Sequence, residues 1–490
     1  MADGVKTHLG DDQPCDVKSL DEGAVLYRDL TPEEDRRILH KIDRWLLPVM
    51  ATAYMFQFLD KSCLSYAAIL GIKSDLRLSG NDYSWSSAIY YFGYLVATYP
   101  VAGVLLVRFP IAKILTISLV IWGGILMLTA VCFNGGGLLA NRFFLGMAEA
   151  SMAPGLSIMI SMWYKRSEQP LRQGAWFLGN TCGGLFGGLV SYGLGHITSI
   201  PPWKAIFLVF GGITTAFSVV TFFLMPDTPH NARFLTTQER DKAIARVEKN
   251  MTGIKNNKWK KEQAIEAICD PNAWFVVLIY FASNLPNNGL ITFSTIIING
   301  LGFSTLKTLL VNMIAYAFQL LFVLITTIGS SHLPNSRLYF MMFNLIVSIV
   351  GAAVIREVDS SHKWGRAIGN ALTVSFTANF PMTMAMTSSN FGGFTKKTTV
   401  SAMVFLAYCA ANIIGPHLFF DREAPSYPSG FLAIMVCFSA AVVLCILQRI
   451  YLVRENKKRD RSCEALDIPP ETLNLMDKTD REIPQFRYVY

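Results

Sequence analysis

Four ionisable side chains interrupt otherwise apolar runs of this sequence: Asp60 and Lys61 in one run, Arg142 and Glu149 in another. A charge at the centre of a bilayer costs at least roughly 2.5–3.5 kcal/mol on an insertion scale, so a side chain kept there is a functional candidate by default. Arg142 offers a permanently charged, planar donor fork that matches a carboxylate. Glu149 is a carboxyl group that can take up and release a proton in a poorly solvated setting. The two are seven residues apart, which is two helical turns, so both project from one face. At 1.5 Å rise per residue Glu149 lies roughly 10 Å deeper than Arg142, and Asp60, roughly 22 Å along its own run, sits at about the depth of Arg142. A pair between Asp60 and Arg142 is geometrically allowed if their helices are neighbours. Asp60 joins Glu149 as a proton-coupling candidate, with a purely structural charge network as the alternative. Lys61 reads as a side chain that snorkels toward the interface.

A second group of candidates is uncharged. Asn284-Leu-Pro-Asn-Asn-Gly289 falls inside an apolar run. Pro286 removes a backbone donor and Gly289 loosens the helix, and broken helices at membrane depth expose polar groups to a solute. Asn284, Asn287 and Asn288 are therefore expected to line a substrate site. Asn379, next to Thr377 and Pro381, marks a similar interruption in a later run. The alternative in both places is a kink whose amides bond to the freed backbone.

The elements that must hold these residues are apolar helices. Runs of about 20 apolar residues, the length needed to cross a bilayer, occur at 45–66, 83–106, 114–133, 138–162, 175–197 and 205–225, and again at 273–297, 308–328, 338–355, 368–387, 399–419 and 431–451. The expected fold is an all-α polytopic membrane protein with twelve transmembrane helices in two six-helix bundles. Its expected divisions are a polar tail 1–44, a first bundle 45–225, a central loop 226–272, a second bundle 273–452 and a tail 453–490. In the central loop, Thr236-Thr-Gln-Glu239 has the form of a capping box that opens an amphipathic surface helix. The glycines of the fifth run, Gly179 to Gly195, read as close helix packing.

Orientation follows from charge. Arg36, Arg37, Lys41 and Arg44 precede the first run, Lys165, Arg166 and Arg172 follow the fourth, and Arg454, Lys457, Lys458 and Arg459 follow the last. Basic residues gather on the cytoplasmic side, which places both termini there. The net charge of +8 is thus spent on topology, and no nucleic-acid partner is expected. Charged residues are only 16% of the chain against about a quarter in soluble domains. The chain has no GxxxxGK[ST] and no HExxH motif, which argues against an ATP-driven pump and a metalloenzyme. The reading is a secondary transporter, needing no cofactor beyond a proton gradient, in contact with the lipid bilayer and monomeric. An exporter or a nutrient sensor are the competing functions.

Several segments together resemble a known family. Arg142-x3-Gly146-x2-Glu149-x4-Pro154 followed by Trp163-Tyr164, Phe58-Leu-Asp-Lys61, and Pro226-Asp-Thr-Pro229 are similar to the anion:cation symporter family of the major facilitator superfamily. Ser389-Asn-Phe-Gly-Gly393, Asn412-Ile-Ile-Gly-Pro416 and Ala424-Pro-Ser-Tyr427 resemble its fungal allantoate permease branch. The resemblance implies alternating access and proton-coupled uptake of a small organic anion at the plasma membrane, such as allantoate, ureidosuccinate, a vitamin carboxylate or a dipeptide. It also implies that the first, fourth, seventh and tenth spans line the cavity. The matching Arg and Glu of related animal transporters act on substrate and proton, which supports Arg142 and Glu149 in those roles.

Overall fold

A computed structural model describes residues 31–165, 168–252, 259–359, 361–461 and 478–490. Most of the expected tail 1–44 lies outside the described residues. Regular structure among the described residues is helical throughout. The first half contains α1 (Pro32–Ile69), α2 (Asp82–Pro100), α3 (Ile111–Leu128), α4 (Gly135–Glu149), α5 (Met152–Trp163), α6 (Gln169–Leu194) and α7 (Pro202–Leu224). Between the halves lie α8 (Thr237–Thr252) and α9 (Lys261–Cys269). The second half contains α10 (Pro271–Asn284), α11 (Asn287–Gly300), α12 (Thr305–His332), α13 (Arg337–Glu357), α14 (Lys363–Thr373), α15 (Asn379–Asn390), α16 (Phe394–Ile414) and α17 (Pro428–Arg461).

Local chemistry sets the helix starts. Thr31 and Glu34 exchange side-chain and backbone hydrogen bonds, each 3.3 Å, ahead of α1. Thr236 and Glu239 do the same ahead of α8, at 3.0 and 3.4 Å, so the capping box read from the sequence is formed. Pro271 and Pro202 open α10 and α7, where the missing N–H has no helical partner to lose.

The breaks carry functional information. The chain leaves the helix at Leu285-Pro286, between α10 and α11, where the sequence places an interruption. A 3-10 stretch, Val374–Ala378, separates α14 from α15, slightly ahead of Asn379. One break is not anticipated: α4 ends at Glu149 itself and α5 resumes at Met152.

Among the described residues, seven helical stretches are long and apolar enough to cross a membrane, or eight if the pair Lys261–Cys269 and Pro271–Gly300, bent by 62°, counts as one. The protein is an integral membrane protein. Helices α1, α2 and α6 are long enough but too diluted with Tyr, Ser, Gly, amide or charged residues to reach that hydropathy, and α14 and α15 are each short and separated by the 3-10 stretch. Helices α1, α2 and α6 and the 3-10 stretch Val374–Ala378 all contribute to the central cavity described below. Two large apolar clusters organise the interior, one mostly within residues 38–243 and one mostly within 279–488. Close packing of α6 is real: a Cβ on Gly179 would stand 2.1 Å from the Ala51 carbonyl oxygen of α1.

The two halves are joined unevenly. At the end remote from the start of α1, Tyr83 donates to the Thr292 carbonyl at 2.8 Å, Ser87 donates to Asn288 at 2.9 Å, and Ser65 meets Thr295 at 3.0 Å. Lys73 and Asp421 add an ion pair at 3.5 Å. At the opposite end, the Lys165–Asp35 and Arg172–Asp43 pairs stay within the first half, and Arg246 of α8 pairs with Asp35 and Glu168 of that half. Lys396 of the second half pairs with Asp270, ahead of α10, and with Glu266 of α9.

Asp35 anchors α8 to α1 through Arg246, whose side chain is fully buried. Burial disfavours the Asp35 carboxylate, but hydrogen bonds from Lys165 and Arg246 outweigh it and hold the group below its ordinary range. A lowered folded value gives stability that is present above the unfolded value of about 3.9 and is lost as pH falls through the folded one. Between neutrality and mild acidity the anchor is therefore intact. Asp35→Asn should lower the melting temperature of the purified protein by a similar amount at neutral and mildly acidic pH. A penalty that disappears on mild acidification would show that the carboxylate is already protonated there.

Candidate functional site

A central cavity of about 80 Å³ lies between the two halves. At roughly 10–15 Å³ per water by the same measure, it holds about five to eight waters. Helix α1 contributes Gln57 and Lys61, α6 contributes Asn180, α11 contributes Asn287 and Ser294, and α12 contributes Asn312 and Gln319. Aromatic walls come from Tyr54, Tyr91, Tyr316 and Tyr408. Lys61 is the sole charged residue of the lining. The Asn180 side-chain oxygen is buried there without a hydrogen-bond partner.

Lys61 is held over an aromatic cradle. Its Nζ lies 5.0, 5.7 and 5.9 Å from the ring centroids of Tyr90, Tyr91 and Tyr94, within the range of cation–π attraction. The expected snorkelling of Lys61 is thus replaced by an inward-facing position: three tyrosines of α2 supply a negative π surface that the interface would not. On the far side of the same cradle, the Tyr90 hydroxyl donates to Glu149 Oε2 at 2.6 Å. One aromatic residue therefore touches both the cavity cation and the buried carboxylate.

Glycine makes this contact. A Cβ on Gly146 would stand 2.0 Å from the Tyr90 carbonyl oxygen, and one on Gly93 would stand 2.0 Å from that of Phe143. Helices α2 and α4 touch backbone to backbone at these two points, which brings the Tyr90 hydroxyl to Glu149. The same Gly146 is part of the span-four motif read from the sequence.

Three buried charges stand behind the cradle. Glu149 and Asp60 are fully buried and Arg142 is 2% exposed. Glu149 Oε1 and Asp60 Oδ1 have no hydrogen-bond partner, and neither do Arg142 Nε and Nη2. Asp60 Oδ2 accepts from the Trp122 indole of α3. That bond takes the place of the Asp60–Arg142 pair allowed by the sequence: the Asp60 carboxylate turns to α3, and the Arg142 guanidinium lies 5.4 Å from the Phe207 ring of α7. The groups still lie within electrostatic reach of one another.

Of the substrate candidates taken from the sequence, Asn287 lines the cavity, and Arg142, Asn284, Asn288 and Asn379 do not. Each of the three asparagines is instead engaged by another hydrogen bond. Asn284 donates to the Tyr280 carbonyl one turn back at 2.9 Å. Asn288 donates to the Asn412 carbonyl at 2.8 Å and accepts from Ser87, so it serves the closed end. Asn379 pairs with Asn344 at 2.9 Å. Asn287 itself donates to Asn412 Oδ1 at 2.9 Å. Lys61, Tyr90, Gln57, Asn180, Asn312 and Gln319 enter the site from the structure. Asn312 and Gln319, seven apart in an apolar helix, carry the same one-face spacing that singles out Arg142 and Glu149.

Comparison with known proteins decides the class. The family model described as Major Facilitator Superfamily matches residues 50–416. The chain belongs to the major facilitator superfamily. A Schizosaccharomyces pombe protein named as an uncharacterized transporter is 38% identical over 94% of this chain and 87% of its own length. The allantoate permease of Saccharomyces cerevisiae is 33% identical over 94% of this chain and 87% of its own. These relatives put the chain in the allantoate permease-like fungal branch. A crystal structure of a D-xylose–proton symporter shares the fold with a TM-score of 0.63, covering 82% of this chain and 96% of that one at 13% identity. This transporter family member is a secondary transporter, not an enzyme, and it carries a small molecule through the membrane.

Proposed function

We propose that this transporter imports a small organic anion together with protons across the plasma membrane, with both termini in the cytoplasm. Twelve helices in two six-helix bundles rock about the central cavity. The observation that carries the reading is Lys61 in an amide-lined cavity, one tyrosine away from Glu149.

The chemistry follows from the residues. A carboxylate entering the cavity meets Lys61 as its sole cation, while Gln57, Asn180, Asn287, Asn312 and Gln319 offer donors and acceptors to an amide or ureido group. Allantoate, ureidosuccinate and a dipeptide have that pattern; a vitamin carboxylate such as nicotinate has the charge with fewer amide partners. Binding of the anion draws Lys61 away from the tyrosine cradle and alters the field at Glu149. Glu149 and Asp60 are the proton carriers, since each keeps one carboxylate oxygen unpaired in the interior, where removing the charge relieves the desolvation cost. Arg142 balances these carboxylates from behind and senses their protonation. On this reading the hydrogen-bonded remote end is the external gate.

The deciding experiment is uptake of labelled allantoate, ureidosuccinate, nicotinate and a dipeptide by transporter-deficient yeast at acidic and neutral pH. Accumulation of a carboxylate should rise at acidic pH and collapse with a protonophore. Uptake indifferent to both, or none at all with the protein at the cell surface, overturns the proposal.

A further inference from the structure

The last thirteen residues, 478–490, are folded against the second half at the end opposite the hydrogen-bonded gate. Asp480 is fully buried. Its carboxylate pairs with Lys396 of α16 at 2.7 Å, accepts from the Gly392 N–H at 3.1 Å and from the Tyr488 hydroxyl at 2.6 Å. Asn390 at the end of α15 makes a two-way bond with the Val489 backbone, at 2.7 and 2.8 Å. Asn456 of α17 makes the same two-way bond with the Tyr488 backbone, both at 2.9 Å. Arg459 donates to the carbonyls of Asp480 and Phe486 at 2.9 and 3.0 Å. Arg481 reaches Asp270, the N-cap of α10, at 3.1 Å. One short segment thus ties together the ends of α10, α15, α16 and α17.

This set of contacts is specific. Two asparagines reading backbone N–H and C=O groups like strand partners require the chain to lie in one register. Yet removal of the segment leaves no orphaned cation behind. Lys396 keeps Asp270 at 2.7 Å and Glu266 at 2.9 Å, and Arg459 keeps Glu455 at 3.5 Å. Removing a partner from a buried ion pair is costly when the remaining charge is stranded; here it is not stranded. Asp480 returns to water when the segment leaves.

We infer that residues 478–490 form a releasable strap that fastens the ends of α10, α15, α16 and α17 into one unit, and that its docking sets the turnover rate of transport. The inference rests on the transport reading only for its second clause. When the carrier reorients, the ends of α15 and α16 must close against the first half, from which the pairs of this end are separate. Four ends held as a unit move together, as hinge and shear closures require; four loose ends make fewer productive closures.

Gly392 supplies a clean lever. A Cβ there would stand 2.6 Å from the Asp480 nitrogen and 3.0 Å from the Thr479 carbonyl carbon, so Gly392→Ala displaces the strap while leaving its sequence unchanged. Trypsin cleavage after Lys478 and Arg481 is followed by mass spectrometry on the purified full chain, wild type and Gly392→Ala. Release of the strap from its protected state should speed cleavage about tenfold or more. Uptake by Gly392→Ala, Asp480→Asn and a chain ending at 477, each normalised to surface expression, should lose about threefold or more in maximal rate with KM within about twofold of wild type. Gly392→Ala added to the truncated chain should change nothing further. Equal cleavage of wild type and Gly392→Ala refutes docking, and this arm does not depend on any solute. Faster cleavage with unchanged maximal rates in all three variants refutes the role in turnover. If Gly392→Ala fails to reach the surface, the truncated chain decides the second clause and Asp480→Asn the first.

Discussion

Glu149→Gln should abolish concentrative uptake and spare exchange. The substitution keeps the size of the side chain and still offers an acceptor to the Tyr90 hydroxyl, which now stands 2.6 Å from Oε2. It removes the ability to gain and lose a proton. A carrier whose proton site is fixed in one state can still reorient with solute bound, so labelled substrate should equilibrate across the membrane and exchange with unlabelled substrate. The accumulation ratio should fall to about one, whatever the imposed pH gradient, because no proton free energy enters the cycle. Counterflow and proton-driven uptake in reconstituted vesicles measure the two activities side by side. Accumulation at the wild-type level by the Gln variant would remove Glu149 from the coupling role and move the search to Asp60. Tyr90→Phe, which deletes the hydroxyl while keeping the ring under Lys61, should impair coupling more than binding in the same assay.

Lys61→Gln should raise the KM for an anionic substrate steeply. A hydrogen bond to a charged partner contributes about 1.5–3 kcal/mol, which corresponds to about 10- to 150-fold in affinity at 1.4 kcal/mol per tenfold. The cavity offers no second cation to compensate, since Lys61 is the sole charged residue of its lining. Lys61→Arg keeps the charge and should retain most of the affinity. A neutral amide or ester analogue of the same solute separates the electrostatic role from a packing role. Its binding should be indifferent to Lys61→Gln, or improve. If the anion and its neutral analogue weaken together, Lys61 holds the shape of the tyrosine cradle and the anion is recognised elsewhere, with Arg142 the next residue to test.

The class of this protein was legible from its residues. Apolar runs of spanning length, basic loops between them, and the Arg142-to-Pro154 segment led to a membrane transporter of the major facilitator superfamily, and the matched relatives agree. The capping box at Thr236 and the helix break at Leu285-Pro286 were also readable, because both arise from interactions within a few residues of sequence. The burial of Asp60, Arg142 and Glu149 followed from their being charges inside apolar runs. Which way each side chain turns did not follow. Asp60 bonds Trp122 across 62 positions, and Tyr90 bonds Glu149 across 59; such pairings depend on which helices pack together and at what rotation. Sequence spacing fixes the face of a helix but not the neighbour that the face meets. The same limit explains the asparagines: their positions at a break are local, whereas their partners, Asn412 for Asn287 and Asn344 for Asn379, are tertiary. Lys61 illustrates it most directly. One residue after Asp60 in an apolar run, it reads from sequence as an interface anchor, yet it lines the cavity. Close contact of α2 with α4 at Gly93 and Gly146 sets where the tyrosines of α2 lie, and those rings hold the ammonium over the cavity.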